Sequence, residues 1–483
     1  MNRPLRRVAA ACLLLFALLL VNVNYLQVVK ADEYKDNPLN RRSLLDEYAR
    51  ARGPILVGGR PIASSKETNG ELKFLRVYSD GQMYAPATGF HSPIFGRTGI
   101  ERQENDYLSG SADAFFVRRL IDLVTSKKPE GGSVSLTLDP RAQQAAWTAI
   151  QGKRGAVVAL DARTGAILAL VSSPSFDPNQ LASHDPDKAS AAWKRLNADP
   201  DQPLLNRPLA QLYPPGSTFK IITSAAALTD GRWKPDTQVD APDVLDLPQT
   251  SHDLPNFNGE ACGPGGKTSL LNALRISCNT AFAGVGLKLG AEKLRTQAEK
   301  FGFGEDLDVP MQAATSRFPA NPDPPQTALS AIGQFDVAVT PLQMAMVAAG
   351  VANGGVVMRP YLVDTIRAPD LSTVRQTKPE VLSEAISPAV AQQLQSMMVD
   401  VVENGTGQNA QIDGVRVGGK TGTAQRGEGQ KPDAWFVSFA SSADRDVAVA
   451  VVIENGAANS ADISGGRLAA PIAKDVMEAV LGR

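Results

Sequence analysis

The longest unbroken apolar run stands at the front of the chain, where Val8 to Val21 reads VAAACLLLFALLLV, and the stretch continues past Asn22, Asn24, Tyr25 and Gln27 to Val29. As a helix this segment spans about 33 Å, enough to cross a bilayer. Arg3, Arg6 and Arg7 precede it, and acidic residues mix with the lysines that follow. The positive-inside rule therefore puts the N-terminus in the cytoplasm and everything after residue 30 outside. Two other readings compete with an uncleaved anchor: a secretory signal cleaved near Val29-Lys30-Ala31, and a lipoprotein signal ending at Cys12. The first has an apolar segment longer than a signal usually carries, and the second has its leucines after the cysteine instead of before it.

Beyond the anchor the pattern changes twice. Residues 31–132 are charged and rich in turns, with short apolar pieces at 53–57 and 72–77 that predict strands and hairpins of a small β-rich accessory domain. The charged Lys127-Lys128-Pro129-Glu130-Gly131-Gly132 marks a boundary. Residues 133–138 then alternate like a strand, 140–150 predict a helix, and the apolar runs 156–160 and 166–171 flank a five-residue turn as a hairpin does. Three further strands are predicted at 415–425, 434–440 and 446–454, with linkers short enough for antiparallel neighbours. Between the two strand groups lie helical patterns at 218–229, 270–277, 341–352 and 389–402, and the chain closes on a helix at 468–481 with Ile472, Val476 and Val480 on one face. The fold class is thus α+β: residues 1–30 an anchor, 31–132 an accessory domain, and 133–483 a domain built on an antiparallel sheet flanked by helices. No internal repeat or low-complexity tract interrupts this order.

Composition narrows the function. The chain carries 49 Lys+Arg against 50 Asp+Glu, a formal charge of -1, which gives no footprint for nucleic acid. His91, His184 and His252 lie far apart in sequence, and Cys12, Cys262 and Cys278 form no close ligand pair, so no zinc or iron–sulfur site is expected. An extracytoplasmic compartment permits disulfides. Cys262 and Cys278 are the candidate pair, closing a loop whose restraint is worth about 3 kcal/mol in the unfolded chain; two free thiols are the alternative.

None of the three histidines sits in a recognisable serine-hydrolase motif such as GxSxG, which does not exclude a Ser-His-Asp triad, and lysine is the other base that a nucleophilic serine could use. Pro214-Pro215-Gly216-Ser217-Thr218-Phe219-Lys220 offers one: the prolines and glycine break the chain, and an almost wholly apolar helix follows. Ser217 opens that helix and Lys220 falls one turn on, on the same face. Burial and a second cation would lower the lysine's pKa toward the neutral form that accepts a proton. An isolated SxxK arises by chance in a chain this long. Here it is the only one, and it is followed by the only SxN, Ser277-Cys278-Asn279, and the only KTG, Lys420-Thr421-Gly422, with Thr423 next.

SxxK, SxN and KTG in that order resemble the active-site serine penicillin-recognising enzymes. Arg52-Gly53-Pro54-Ile55, preceded by Asn37, Asn40 and Arg41, looks like the membrane-proximal motif of class B high-molecular-weight penicillin-binding proteins. Leu136-Thr137-Leu138-Asp139 with Gln143, and Pro174-Ser175-Phe176-Asp177-Pro178-Asn179, are similar to the opening of their transpeptidase domain. The nearest resemblance is to the penicillin-binding protein A type of actinobacteria. It implies that Ser217 attacks a stem peptide ending in D-Ala-D-Ala, that Lys220 takes the serine proton, that Ser277 protonates the departing nitrogen, and that Lys420 holds the local field. Asn279 would donate to the substrate backbone, Thr421 and Thr423 would hold the terminal carboxylate, and Gly422 would keep the strand edge open. The N–H groups of Ser217 and Thr423 would form the oxyanion hole.

The same resemblance implies β-lactams as covalent inhibitors, no cofactor, and as partners a membrane glycan polymerase with proteins of division or elongation. A class A β-lactamase would carry ExxLN between SxN and KTG, and none occurs between 279 and 420. Carboxypeptidase activity and a non-catalytic penicillin-binding scaffold are the alternatives to transpeptidation.

Overall fold

The computed structural model describes residues 2–30, 41–115, 130–256, 259–425, 431–443, 445–455 and 464–483. Asn37, Asn40 and positions 127–129 of the charged break lie outside them. Helix α1 (Asn2–Asn24) runs into a π-helical turn at Tyr25–Val29. The span Arg3–Val29 is 27 residues, long and apolar enough to cross a membrane, and none of it is buried against the protein.

The C-terminal part of the chain begins with α2 (Pro140–Ile150), entered through Asp139, whose carboxylate accepts the backbone N–H groups of Arg141 and Ala142, with Pro140 preset for the first turn. Strands β1 (Gly155–Asp161) and β2 (Ile167–Ser173) pair as the predicted hairpin. Asp161 Oδ1 accepts Arg163 N and Thr164 N, both at 3.0 Å, which closes the turn. The helical middle supplies α3 (Lys220–Asp230), α4 (Asn279–Leu289), α5 (Pro341–Ala352) and α6 (Pro388–Asn404). Strands β3 (Arg416–Ala424), β4 (Asp433–Ser441) and β5 (Asp446–Ile453) follow, then α7 (Ala470–Leu481).

The five strands form one antiparallel sheet in the order β3-β4-β5-β1-β2. Both of its faces are covered. Ala156, Val158, Leu160, Trp435, Val437 and Phe439 face the core that includes α3 and α5. Val157, Ala159, Phe436, Val449 and Val451 face the core that includes α2 and α7. Burial on both faces explains why these strands read as continuous apolar runs, where a sheet with one wet face would alternate. The two segments of sheet, far apart in sequence, meet through β5 and β1, so β3 is left as an edge.

A second sheet has six strands drawn from three parts of the chain, in the order 373–376, 363–367, 133–136, 55–57, 60–67, 74–78. Ser133–Leu136 pairs in parallel with Ile55–Val57 and antiparallel with Val363–Arg367. A cut at residue 132 therefore runs through this sheet, because a strand's partners cannot be read from its own alternation. Helices Arg41–Tyr48, Gly81–Thr88, Gly99–Gln103 and Asn105–Ser109 also belong to this half, shorter than helical periodicity can signal. Arg52 is held by Glu101, its Nε at 2.5 Å from Oε2, while Arg76 Nε lies 2.6 Å from Oε1. Burial alone would raise the Glu101 pKa, but Arg76 and Arg52 outweigh it and bring the carboxyl down to about 2. Two of the three histidines converge in this region: His91 stacks on Tyr48 with centroids 4.9 Å apart, and His184 meets the same ring edge-on at 5.6 Å.

Candidate active site

Ser217 lies in a 3-10 turn, Gly216–Phe219, and the α-helix proper opens only at Lys220. Gly216 makes the approach possible. Its φ is +53°, and a Cβ there would stand 2.8 Å from Thr423 O and 3.0 Å from Ala424 Cβ. Gly216 N donates to Gly333 O at 2.9 Å, so the turn that carries Ser217 is fixed between β3 and the 333 segment. Ser217 itself is half-buried.

The three motifs meet at two lysine amines. Lys220 is fully buried, and its Nζ donates to Ser277 O at 2.7 Å and Asn279 Oδ1 at 2.8 Å, with Ser277 Oγ at 3.4 Å. Lys420, also fully buried, donates to Ser277 Oγ at 2.9 Å and Thr421 O at 2.8 Å. Ser277 Oγ thus stands between two amines carried by elements far apart in sequence. Among the described residues neither amine donates to a carboxylate. Burial, and after it the charge of Lys420, holds the Lys220 amine well below the ordinary lysine range. Burial alone brings Lys420 down to about 7. A neutral lysine near neutral pH is a proton acceptor, so the arrangement can take a hydroxyl proton and pass it through Ser277 Oγ.

The SxN turn is held from several directions. Ser277 adopts a left-handed backbone, φ +65°, unusual for a residue with a Cβ and the kind of local strain that clusters at functional sites. Cys278 N donates to Ala273 O at 2.8 Å, and Cys278 is joined to Cys262 in a disulfide. Asn256 Oδ1 accepts Asn279 N at 3.0 Å and Thr280 N at 3.1 Å, capping α4 from outside its own segment. Sequence reasoning missed Asn256, since a cap supplied from twenty-three positions upstream leaves no local pattern.

On β3, Lys420 and Gly422 face the side of Trp435, which is opposite Gly422 in the register. A Cβ on Gly422 would lie 2.9 Å from Thr218 Cγ2 and 3.0 Å from Trp435 Cβ. Thr421 is mostly buried and its Oγ1 lies 2.6 Å from Thr406 Oγ1, a second partner with no sequence signal; Thr423 is half-buried beside the Ser217 turn. Among the described residues no group of three or more His, Cys, Asp or Glu comes together to hold a metal ion.

Comparison with known proteins agrees with this geometry. The family model described as the penicillin binding protein transpeptidase domain matches residues 155–478, and that of the penicillin binding protein A dimerisation domain matches 52–134. The chain is 47% identical over 490 residues to the peptidoglycan D,D-transpeptidase PbpA of Mycolicibacterium smegmatis, covering 100% of this chain and 99% of that protein. The solved structure of penicillin-binding protein A from M. tuberculosis, as a ceftriaxone acyl-enzyme, superposes with a TM-score of 0.88 at 45% identity, covering 90% of this chain and 100% of that one. A D,D-transpeptidase domain from Eggerthella lenta superposes at 0.78 with 33% identity, over 90% of this chain and 98% of that one. The chain belongs to the penicillin-binding protein transpeptidase family.

Proposed function

We propose that the protein is a peptidoglycan D,D-transpeptidase held at the outer face of the bacterial cell membrane by α1, working through an acyl-enzyme on Ser217. The observation that carries this reading is the Lys220–Ser277–Lys420 hydrogen-bond chain beside the Ser217 turn. Ser217 Oγ attacks the carbonyl carbon of the penultimate D-alanine as neutral Lys220 takes its proton. Negative charge gathers on the carbonyl oxygen, where the N–H groups of Ser217 and Thr423 stabilise it, each worth about 3 kcal/mol. The proton passes by way of Ser277 Oγ to the nitrogen of the terminal D-alanine, the C–N bond breaks, and D-alanine leaves. An acceptor amine on a neighbouring stem then attacks the ester carbonyl, gives up a proton along the same route, and returns Ser217 to its hydroxyl. A β-lactam takes the first half of this path and stays on the serine because its ring-opened leaving group remains attached.

Asn279 holds the donor peptide's backbone, the hydroxyls of Thr421 and Thr423 hold its carboxylate, and the open edge of β3 pairs with it as an added strand. The membrane-proximal half is the contact for a glycan polymerase of division or elongation, and for a second copy of the chain, as the dimerisation family matching 52–134 suggests. The test is labelling of the full-length protein and its Ser217→Ala variant with a fluorescent penicillin, chased over hours. Labelling that persists in the wild type and is absent from the variant supports the reading. Label lost within seconds would make the enzyme a hydrolase, and no labelling of folded wild type would leave only a scaffold.

A further inference from the structure

Ser217 is reached through Tyr213-Pro214-Pro215-Gly216, and this approach is pinned along its length. Tyr213 and Val339 exchange backbone hydrogen bonds, both at 2.9 Å. Pro214 O accepts Trp435 Nε1 at 3.1 Å, and Gly216 N donates to Gly333 O. The Tyr213 ring meets Trp435 edge-on with centroids 5.8 Å apart. Its hydroxyl donates to Glu454 Oε1 at 2.7 Å.

Glu454 follows the last residue of β5, and its side chain is only 2% exposed. Oε1 also accepts Arg207 Nε at 2.9 Å, and Arg154 Nε lies 2.6 Å from Oε2. Arg207 is fully buried and turns its remaining nitrogens to the carbonyls of Gln202 at 3.1 Å and Asp201 at 2.6 Å. Taking these charges out of water is a cost that a packed apolar cluster would avoid, so stability is a poor reason for the network to exist. The Tyr213 ring is already packed on Trp435. What the carboxylate adds is a directional stop, four residues before the serine.

We propose that Glu454 is a positioning residue for the nucleophile. Acting through the Tyr213 hydroxyl, it sets how deeply the segment from Pro214 to Ser217 seats against β4. It thereby places the Ser217 hydroxyl relative to Lys220 and the Ser217 N–H relative to Thr423. This rests on Ser217 being the nucleophile.

The experiment is stopped-flow acylation of the full-length protein by a reporter penicillin, resolving the non-covalent dissociation constant from the acylation rate constant. Wild type is compared with Tyr213→Phe, Glu454→Gln, the double variant and Ser217→Ala. A displacement of an ångström or less at the nucleophile should lower the acylation rate constant about tenfold in Tyr213→Phe, with the dissociation constant held within about twofold. Glu454→Gln should match it, and the double variant should be no slower than the slower single, because both act through one contact. An acylation rate unchanged in Tyr213→Phe, or losses that multiply in the double, would overturn the proposal. Tyr213→Phe keeps the ring on Trp435 and decides the question alone if Glu454→Gln does not fold. Labelling of Ser217→Ala would instead remove the nucleophile assignment itself.

Discussion

Replacing Lys420 by Met should stabilise the protein in acid while silencing it. Lys420 is fully buried, and its amine is brought from 10.5 down to about 7 by burial. A depression of that size corresponds to about 5 kcal/mol of penalty on the charged form. The sign follows from proton counting: between the two values the unfolded chain binds more protons than the folded one, so stability rises with pH across that window. The penalty is therefore full below about 7 and gone above 10.5. Methionine fills similar volume and never carries the charge, but forfeits the bonds to Ser277 Oγ at 2.9 Å and Thr421 O at 2.8 Å, together about 2–3 kcal/mol. The net expectation is a gain of a few kcal/mol near pH 6, visible as a rise of several degrees in Tm, that reverses to a loss near pH 10. Thermal unfolding of the two proteins across that range gives the difference directly, and penicillin acylation measured alongside should fall by at least about a hundredfold. A Tm difference that stays constant with pH would refute the reasoning, since it would mean that Lys420 is not titrating under the penalty of burial.

Gly216→Ala places a methyl 2.8 Å from Thr423 O on a residue at φ +53°, and should cut the acylation rate constant about a hundredfold with the fold retained, read by stopped-flow and circular dichroism. Asn256→Ala leaves two N–H groups at the start of α4 without their acceptor, a cost of about 1–2 kcal/mol, and should slow acylation about tenfold; Asn256→Asp, which keeps an acceptor at a helix N-terminus, should restore most of it. Cys262→Ser with Cys278→Ser releases the tether on the turn that carries Ser277 and Asn279, removing a cross-link across 16 residues worth about 3 kcal/mol, and should lower both Tm and acylation rate; an unchanged acylation rate would show that the tether does not order Ser277 for acylation.

Short-range order was legible in the sequence because it is written in short-range chemistry. The helix 140–150 has its cap and proline beside it, and the hairpin of β1 and β2 has its turn residues between its strands. The serine–lysine pair of Ser217 and Lys220, and the order of the three motifs, needed only spacing and resemblance. Tertiary structure decided what spacing cannot carry. It brought Ser277 Oγ between Lys220 and Lys420, which lie 200 positions apart in the chain, and buried both amines, which is what shifts their protons. It supplied Asn256, Thr406 and the Glu454–Tyr213 contact, pairings between distant segments that no local pattern announces. It also drew strands from both sides of residue 132 into one sheet. A sequence specifies which side chains can do chemistry and which stretches can be helix or strand; desolvation and strand pairing are properties of neighbours in space, and only the folded chain chooses those.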